Sequence, residues 1–437
     1  MVHKLTHLLS NPLFQNLCQR VIPTFNKLIP FETQTVVVAV SGGPDSLILS
    51  FLIFAWAKAR SLTVRLVHVD HALRPESSAQ ALDLQKLLQE MGLTCDILQW
   101  HHSPLKTGLQ EKARQARYAL LTEYCHQHQA RYLFLGHHLD DQIETVFMRL
   151  FRGSGLTGLR GMSLLQKRGD VTCVRPFLTV EKSVLEALCT AVSLAPIIDP
   201  SNEDWHYTRV RWRKVLDGLI KPEEKHDFAT ALMKIRRAEE AMDHYRNKAL
   251  QESTKMQDLG YSCLDRSAFE SYPEEIQLRV LTDILQSVSG NTQPVRLKRL
   301  ARLQQMILSG RQTCHTLQGC LVDLHCFKKA WFYREYAQIP PVMKLTSPSM
   351  IWDHRFSIKR QNKMDKNEYY ISPIQYLKIN GITGFDLDFL KESDKVISTL
   401  PVIYKKTGIV SVPHLNFNPQ LFRITFLGMT KFKGLKT

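Results

Sequence analysis

One short stretch of this chain, residues 41–46, combines the residue types that a phosphate-binding loop needs. An apolar run at 36–40 precedes it, and a helix-forming run at 47–59 follows it. Adjacent glycines allow a tight turn, and the free N–H groups and dipole of a helix start favour an anion. A carboxylate beside a phosphate is repulsive unless a cation intervenes, so Asp45 is a candidate Mg²⁺ ligand. The residues of this loop are Ser41, Gly42, Gly43, Pro44, Asp45 and Ser46.

Two common nucleotide-binding patterns are missing from this loop. Neither G-x-x-x-x-G-K-[ST] nor G-x-G-x-x-G occurs at residues 41–46, which argues against an ordinary P-loop NTPase and against a Rossmann dehydrogenase. Ser-Gly-Gly-Pro is also ordinary turn chemistry, so a purely structural turn at 41–44 stays open.

A second candidate cluster is acidic. Asp141 and Glu144 lie three positions apart in a predicted helix and therefore share a face. Because like charges repel, we expect a cation between them; the alternative is that they only complement the dipole of the helix start. His137 and His138 precede this helix, and without a third ligand at suitable spacing a structural role is favoured over a metal site.

Several arginines have the spacing of anion-binding groups. Arg114 and Arg117 share a helix face, where they either grip a carboxylate or phosphate or simply face solvent. Arg152 and Arg160 lie in a glycine-rich segment at 149–162, which is either a loop that closes over a substrate or a plain flexible connection.

A later segment mixes basic and aromatic residues, a combination that suits RNA because bases stack on rings while guanidinium groups meet phosphates. Its members are Trp205, Tyr207, Arg209, Arg211, Trp212, Arg213 and Lys214.

Hydrophobic patterning predicts the elements that position these residues. Predicted strands at 35–40, 63–69, 94–100 and 132–135 alternate with predicted helices at 46–59, 77–91 and 110–129. Such alternation indicates a Rossmann-like α/β fold with a parallel sheet and helices on both faces. Ligands of such sheets bind beyond the carboxyl ends of the strands. His68 and Asp70 follow the second strand and the 137–144 cluster follows the fourth, so one shared site is expected there.

The hexapeptide at 41–46 resembles the SGGxDS loop of the N-type ATP pyrophosphatases, or PP-loop enzymes. Further motifs appear in the order seen in the tRNA(Ile)-lysidine synthetases, which the first 215 residues resemble. They are SGGPDS, HVDHALR, ARQARY, HHLDDQIET, RGSGLTGLRGM and DPSN followed by arginines. Val210 departs from the pattern, since the family often has asparagine there, and this puts one tRNA contact in doubt.

The resemblance implies a ligase that uses ATP and Mg²⁺ to adenylate the wobble cytidine of the CAU-anticodon tRNA(Ile). Free L-lysine is then joined to C2, and codon reading changes from AUG to AUA. By motif, ATP binding falls on the 41–46 loop with His68 and Asp70, catalysis on Asp45, Asp141 and Glu144, and Mg²⁺ on Asp45. Lysine binding falls on Arg114, Arg117, Asp141 and Glu144, and tRNA binding on Arg152, Arg160, Arg209 and Arg213.

Length and charge extend this picture. The 437 residues suggest a PP-loop domain at 1–218, a mainly helical tRNA-binding domain at 223–340 and a small α/β tRNA-binding domain at 350–437. The net charge of +16 indicates a polyanionic partner, with solubility as the alternative. Because the chain shows no signal peptide and no apolar run of about 20 residues, we expect a cytoplasmic protein without a membrane partner. The oligomeric state stays open, a homodimer included.

Cysteine usage bears on a competing function, tRNA thiolation by a related PP-loop enzyme. The nine cysteines are scattered without a C-x-x-C pair, whereas sulfur-transferring relatives tend to carry paired cysteines. A third hypothesis is an RNA-binding module with an inert nucleotide loop. The presence of Asp45, Asp141 and Glu144 in their motif settings argues against inertness.

Overall fold

The computed structural model describes residues 7–73, 76–102, 109–197, 208–361, 368–379 and 393–429. The chain forms two compact units, residues 1–239 and 240–437. The DPSN motif, Trp205, Tyr207 and the arginine of HVDHALR lie outside the described residues. Among the described residues, no helix combines the length and the apolar character that crossing a bilayer requires.

Unit 1 contains a six-stranded sheet with helices around it. Its strands are β1 (Thr35–Ala39), β2 (Thr63–Asp70), β3 (Cys95–Gln99), β4 (Tyr132–Phe134), β5 (Leu165–Arg168) and β6 (Val171–Val174). Its helices are α1 (Pro12–Leu28), α2 (Pro44–Lys58), α3 (Ser77–Glu90), α4 (Leu109–Gln127), α5 (Leu139–Leu150), α6 (Leu156–Leu159), α7 (Lys182–Ala191) and α8 (Thr208–Leu219).

The strand order is β3-β2-β1-β4-β6-β5, parallel throughout except for β5, which runs antiparallel to β6. The predicted α/β fold and all four predicted strands are confirmed. The sequence reasoning missed β5 and β6. Strand β5 has the polar sequence LQKR, so it gives little apolar signal.

The two faces of the sheet are covered by different helices. Because successive strand residues point to opposite faces, Val36 and Val38 join one core and Val37 joins another. The first core includes side chains of α1, α2, α3 and α7, and the second includes α4. Helix α2 is buried along most of its length, which explains its nearly uninterrupted apolar sequence.

Helix α9 (Pro222–Ser253) crosses from unit 1 into unit 2. Unit 2 continues with β7 (Thr254–Met256), β8 (Ser262–Asp265), α10 (Arg266–Glu270), α11 (Glu274–Ser289), α12 (Leu297–Leu308), β9 (Cys314–Leu317), β10 (Cys320–Asp323) and β11 (Lys329–Arg334). These five strands form an antiparallel sheet of order β7-β8-β11-β10-β9. Apolar side chains of α11 and α12 share its core.

The last part of unit 2 holds two small antiparallel sheets around one core. Its elements are β12 (Met343–Lys344), β13 (Ser349–Trp352), β14 (Phe356–Arg360), β15 (Tyr370–Pro373), α13 (Ile374–Ile379), α14 (Asp394–Ile397), β16 (Pro401–Lys405), β17 (Gly408–Ser411) and β18 (Phe422–Phe426). The strand orders are β12-β15-β16-β17 and β13-β14-β18. The three-domain boundaries stay predictions.

Candidate functional site

The loop between β1 and α2 is held together by one side chain. The hydroxyl of Ser46 accepts hydrogen bonds from the backbone N–H groups of Ser41 and Gly42, each at 3.1 Å, and donates to the carbonyl of Gly43 at 3.0 Å. Gly42 has φ of +92°, a left-handed conformation that glycine adopts without strain. The sequence therefore builds this turn locally, and the helix begins at Pro44, two residues before its predicted start.

Asp45 lies where two strand ends meet. A Cβ on Gly136, which follows β4, would come within 3.0 Å of the Asp45 carboxylate and 3.2 Å of the Ser46 nitrogen. Glycine at 136 thus allows the segment leading to α5 to approach the loop. Burial raises the pKa of Asp45, nearby Asp141 adds to the rise, and His138 opposes it. Among the described residues, Asp45 has no hydrogen bond or ion pair with another side chain, so a cation would be stabilised here.

The last residues of β2 have well-defined local partners. His68 Nδ1 lies 2.8 Å from the carbonyl of Val40, and burial lowers the pKa of this imidazole. Asp70 accepts hydrogen bonds from Ala72 N–H and from the hydroxyls of Ser77 and Ser78. Burial acts to raise the pKa of Asp70, but these hydrogen bonds outweigh it and lower the pKa. Asp70 therefore connects the end of β2 to the first residues of α3.

The predicted acidic pair is paired with arginines of α8. Arg209 donates from Nε to Glu144 and from Nη2 to Asp141, each at 2.6 Å, and Arg213 Nε donates to Glu144 at 2.7 Å. Glu144 is only 2% exposed, so its charge requires such partners. The sequence predicted a cation between the acids. In the structure, the guanidinium groups of Arg209 and Arg213 take the place of that cation. These arginines lie 65 to 69 positions along the chain from the acids that they contact.

Histidines at the start of α5 complete the electrostatics. His138 lies 3.5 Å from Asp140 and 3.6 Å from Asp141, and its backbone N–H donates to Asp141. Burial lowers the pKa of His138, but Asp141 and Asp140 outweigh this and raise it. Burial raises the pKa of Asp141, but His138 and Arg209 outweigh it and hold the pKa at about 2. Asp141 is therefore ionised at neutral pH.

His137 behaves differently from its neighbour. Burial lowers its pKa to about 3, despite the opposing charge of Asp141. Its Nδ1 is buried without a hydrogen-bond partner in the described part of the chain. His137 is therefore a neutral imidazole at physiological pH. The structural role favoured from sequence for the two histidines stays a prediction.

The two arginines of α4 differ in their surroundings. Arg114 is exposed and lies over the ring of Tyr118, at 5.2 Å from its centre. Arg117 is partly buried and interacts electrostatically with Asp45 and Asp141, although burial lowers its pKa. Within the described residues, Arg117 makes no hydrogen bond or ion pair. It is the arginine of this segment that the fold brings towards the acidic residues.

The glycine-rich segment is fastened to its surroundings rather than loose. Arg149 donates to the carbonyls of Gly158 and Gly161, and the side chain of buried Gln142 forms two hydrogen bonds with the backbone of Met162. Arg236 of α9 donates to the carbonyls at 160 and 162. This finding counts against a plain flexible connection. Arg152 is exposed, and within the described residues its guanidinium group makes no hydrogen bond or ion pair.

Sequence reasoning missed several residues that support the site. Asp140 accepts from the backbone N–H of Lys182 at 2.9 Å and pairs with Lys225. Burial alone would raise the pKa of Asp140, but His138 and Lys225 outweigh this effect, and the pKa is lowered. Asp140 stands inside HHLDDQIET, so the motif could have indicated it, whereas no local signal points to Lys225. Val210, the departure from the family pattern, is buried.

Comparison with known proteins agrees with this arrangement. A family model described as a PP-loop domain matches residues 15–219. The tRNA(Ile)-lysidine synthase of Orientia tsutsugamushi (strain Boryong) is 30% identical over 403 residues, which cover 88% of this chain and 90% of that protein. The tRNA(Ile)-lysidine synthase of Wolbachia sp. subsp. Brugia malayi (strain TRS) is 32% identical over 391 residues, covering 87% and 89%. The chain belongs to the tRNA(Ile)-lysidine synthase family.

The similarity to other lysidine synthases reaches well beyond the motifs, which end near residue 215, and extends into unit 2. A solved U34-tRNA thiolase, NcsA from Methanococcus maripaludis with its 4Fe-4S cluster, has a TM-score of 0.44 and 17% identity. That match covers 51% of this chain and 79% of the thiolase. It is too weak to carry an argument about function. The family resemblance inferred from the ordered motifs is confirmed.

Proposed function

We propose that this protein ligates L-lysine to C2 of the wobble cytidine of the CAU-anticodon tRNA(Ile), giving lysidine. Membership of the lysidine synthase family is the observation that carries this proposal. The reaction has two steps, and ATP is consumed in the first. The C2 oxygen of cytidine attacks the α-phosphate and releases pyrophosphate, and an amine of lysine then attacks C2 and releases AMP.

The first step belongs to the 41–46 loop. The start of α2 favours phosphate binding, and the Ser46 hydrogen bonds keep the turn in one conformation. Asp45 has a partly buried carboxylate without a cationic hydrogen-bond partner among the described residues, which fits a ligand for Mg²⁺. Bound Mg²⁺ would supply charge neutralisation on the pyrophosphate. His68 and Asp70 shape the neighbouring strand end, on which we place the rest of the ATP site.

The second step belongs to Asp141 and Glu144. Their oxygens already accept hydrogen bonds from two arginines, so an ammonium group of lysine would replace one guanidinium without changing the local charge. Arg117, which is partly buried and unpaired within the described residues, suits the lysine carboxylate better than exposed Arg114. Arg209 and Arg213, once released from the acids, would be available to tRNA phosphates.

Exposed cations supply the remaining support for tRNA binding. Arg152 lies on a fastened loop, and four exposed cations lie at the start of α12 or just before it in unit 2, namely Arg296, Lys298, Arg299 and Arg302. Phosphate contacts from such groups give affinity without reading sequence. We place tRNA contacts on Arg152, Arg160 and these four cations.

The thiolation alternative finds no support near the loop. Cys189 Sγ lies 3.9 Å from the carbonyl of Pro44, next to Asp45. Burial raises the pKa of this thiol to about 12, with a further rise from Asp45. Since the thiolate is the reactive form, Cys189 is unsuited to carry sulfur.

Incubation of the purified protein with radiolabelled lysine, ATP and tRNA(Ile) tests the proposal. Label should enter the tRNA only when all three are present, with release of both pyrophosphate and AMP. The methionine tRNA, which has the same anticodon, is the matched control and should stay unlabelled. Incorporation of sulfur from a labelled donor, with no lysine incorporation, would reject the proposal in favour of thiolation.

A further inference from the structure

A second group of chemically active side chains lies in unit 2. Cys314 begins β9 and pairs in register with Asp323 at the end of β10. His325 follows two residues later. One ligand atom from each of these three side chains lies within 4.8 Å of the others. A hairpin register therefore assembles a thiol, a carboxylate and an imidazole at one point.

We propose that Cys314, Asp323 and His325 bind a divalent transition metal of the zinc type, with water as a fourth ligand. Sulfur, nitrogen and oxygen donors together match the preferences of Zn²⁺, whereas Mg²⁺ selects oxygen ligands. The site is independent of the ATP and lysine chemistry proposed for unit 1.

The sulfur and nitrogen atoms already have suitable spacing. Cys314 Sγ lies 3.7 Å from His325 Nδ1. Thiolate and imidazole ligands of one tetrahedral Zn²⁺, at their usual bond lengths, are about 3.6 Å apart. Metal binding would therefore need almost no movement of these two atoms relative to each other.

The carboxylate needs a small adjustment. His325 Nδ1 lies 2.8 Å from Asp323 Oδ1, whereas nitrogen and oxygen ligands of tetrahedral zinc are about 3.3 Å apart. The imidazole must rotate slightly and exchange its hydrogen bond with Asp323 for a bond to the metal. With 62% of its side chain exposed, His325 has room to do so.

Asp323 is prepared as an anionic ligand. Burial acts to raise its pKa, but hydrogen bonds from Lys395 and His325 outweigh it and hold the pKa at about 2. Lys395 of α14 contacts Oδ2, whereas His325 contacts Oδ1. The metal would take Oδ1 while Lys395 keeps Oδ2 and orients the carboxylate, as partners of metal ligands commonly do.

Binding would displace the thiol proton of Cys314, so affinity should fall as pH falls. The metal would join the ends of β9 and β10 to the turn after β10. Because it binds the folded form, it should raise the thermal stability of the protein.

Titration of the full-length protein with Co²⁺, in excess Mg²⁺ and a reductant, tests the site. We expect one equivalent to bind with a cobalt–thiolate absorption band, and Zn²⁺ to remove that band. Cys314→Ser should abolish the band, and His325→Ala should weaken binding by about tenfold or more. Circular dichroism of the metal-free variants would separate loss of a ligand from loss of the fold.

Matched controls lie beside the cluster. Cys326 is an exposed cysteine next to His325, and His315 follows Cys314, yet neither contributes a ligand atom to the described cluster. Cys326→Ser and His315→Ala should retain the band. Absence of a band in the wild type, or an equal band in Cys314→Ser, would overturn the proposal.

Discussion

The phosphate loop and the acidic cluster of unit 1 lie at neighbouring strand ends but are stabilised in different ways. The loop of residues 41–46 is held by uncharged hydrogen bonds to Ser46, all within six consecutive residues. The acidic cluster, Asp141 and Glu144 with Arg209 and Arg213, is held by ion pairs between two helices, α5 and α8, that are far apart in the sequence. Under the proposed function, the local turn is preformed for ATP, whereas the paired charges must exchange partners before lysine binds.

The largest expected effect comes from the loop. Asp45→Asn should reduce pyrophosphate release by roughly a hundredfold or more, because removing one electrostatic group at the reacting phosphates has effects of this order. Binding of tRNA should stay nearly unchanged, since phosphate contacts dominate its affinity. Pyrophosphate release and filter binding measure the two quantities. Wild-type turnover would remove Asp45 from the proposed mechanism.

The cluster should respond in the second step instead. Asp141→Asn should raise the KM for lysine by about 10- to 100-fold or abolish transfer, as expected for a lost hydrogen bond to a charged group. Adenylated tRNA should still accumulate. Trapping of that intermediate, with lysine kinetics alongside, provides the measurement. Loss of adenylation with an unchanged lysine KM would place Asp141 in the ATP site and end the contrast between the two regions.

Acid should act on His137, which lies beside the acidic cluster. With the His137 pKa lowered by burial from 6.5 to about 3, the unfolded chain binds a proton between these pH values that the folded protein does not. The free energy of unfolding should therefore fall as pH falls through this window. His137→Gln should reduce that loss by an amount on the order of a few kcal/mol.

Denaturant titrations at several pH values would measure this effect. His126→Gln, at an exposed position on α4, serves as the control and should follow the wild type. An identical pH dependence for wild type and His137→Gln would show that this imidazole is not held neutral.

The smallest effect concerns arginines that differ in their partners. Arg152 is exposed and unpaired among the described residues, whereas Arg213 is bound to Glu144. Arg152→Gln should lower the log–log salt slope of tRNA binding by somewhat under ~1 and leave the lysine KM unchanged. Lys86→Gln, at an exposed site on α3, is the control. An unchanged slope for Arg152→Gln would remove this residue from the tRNA surface.

Much of unit 1 could be predicted because its signals are local. Apolar strands alternating with helices indicated the parallel sheet, and the turn at 41–46 contains the glycines and serines that close it. Strand β5 was missed because its polar sequence resembles a loop, and β6 was missed because a run of four residues is too short to show a clear period. The proposed metal site in unit 2 was missed because Cys314 and His325 are neither adjacent nor arranged in a known motif.

The sequence by itself determined the phosphate loop, since a turn of six residues depends on backbone conformation and neighbouring side chains. It also determined that Asp141 and Glu144 share a helix face, because helical periodicity requires this. Only the tertiary structure decided which cations neutralise these acids and that Arg117, rather than Arg114, turns towards them. It also decided that the pKa of His137 is lowered whereas the pKa of His138 is raised. Those outcomes depend on burial and on charges brought together by packing, and neither is encoded in the spacing of residues along the chain.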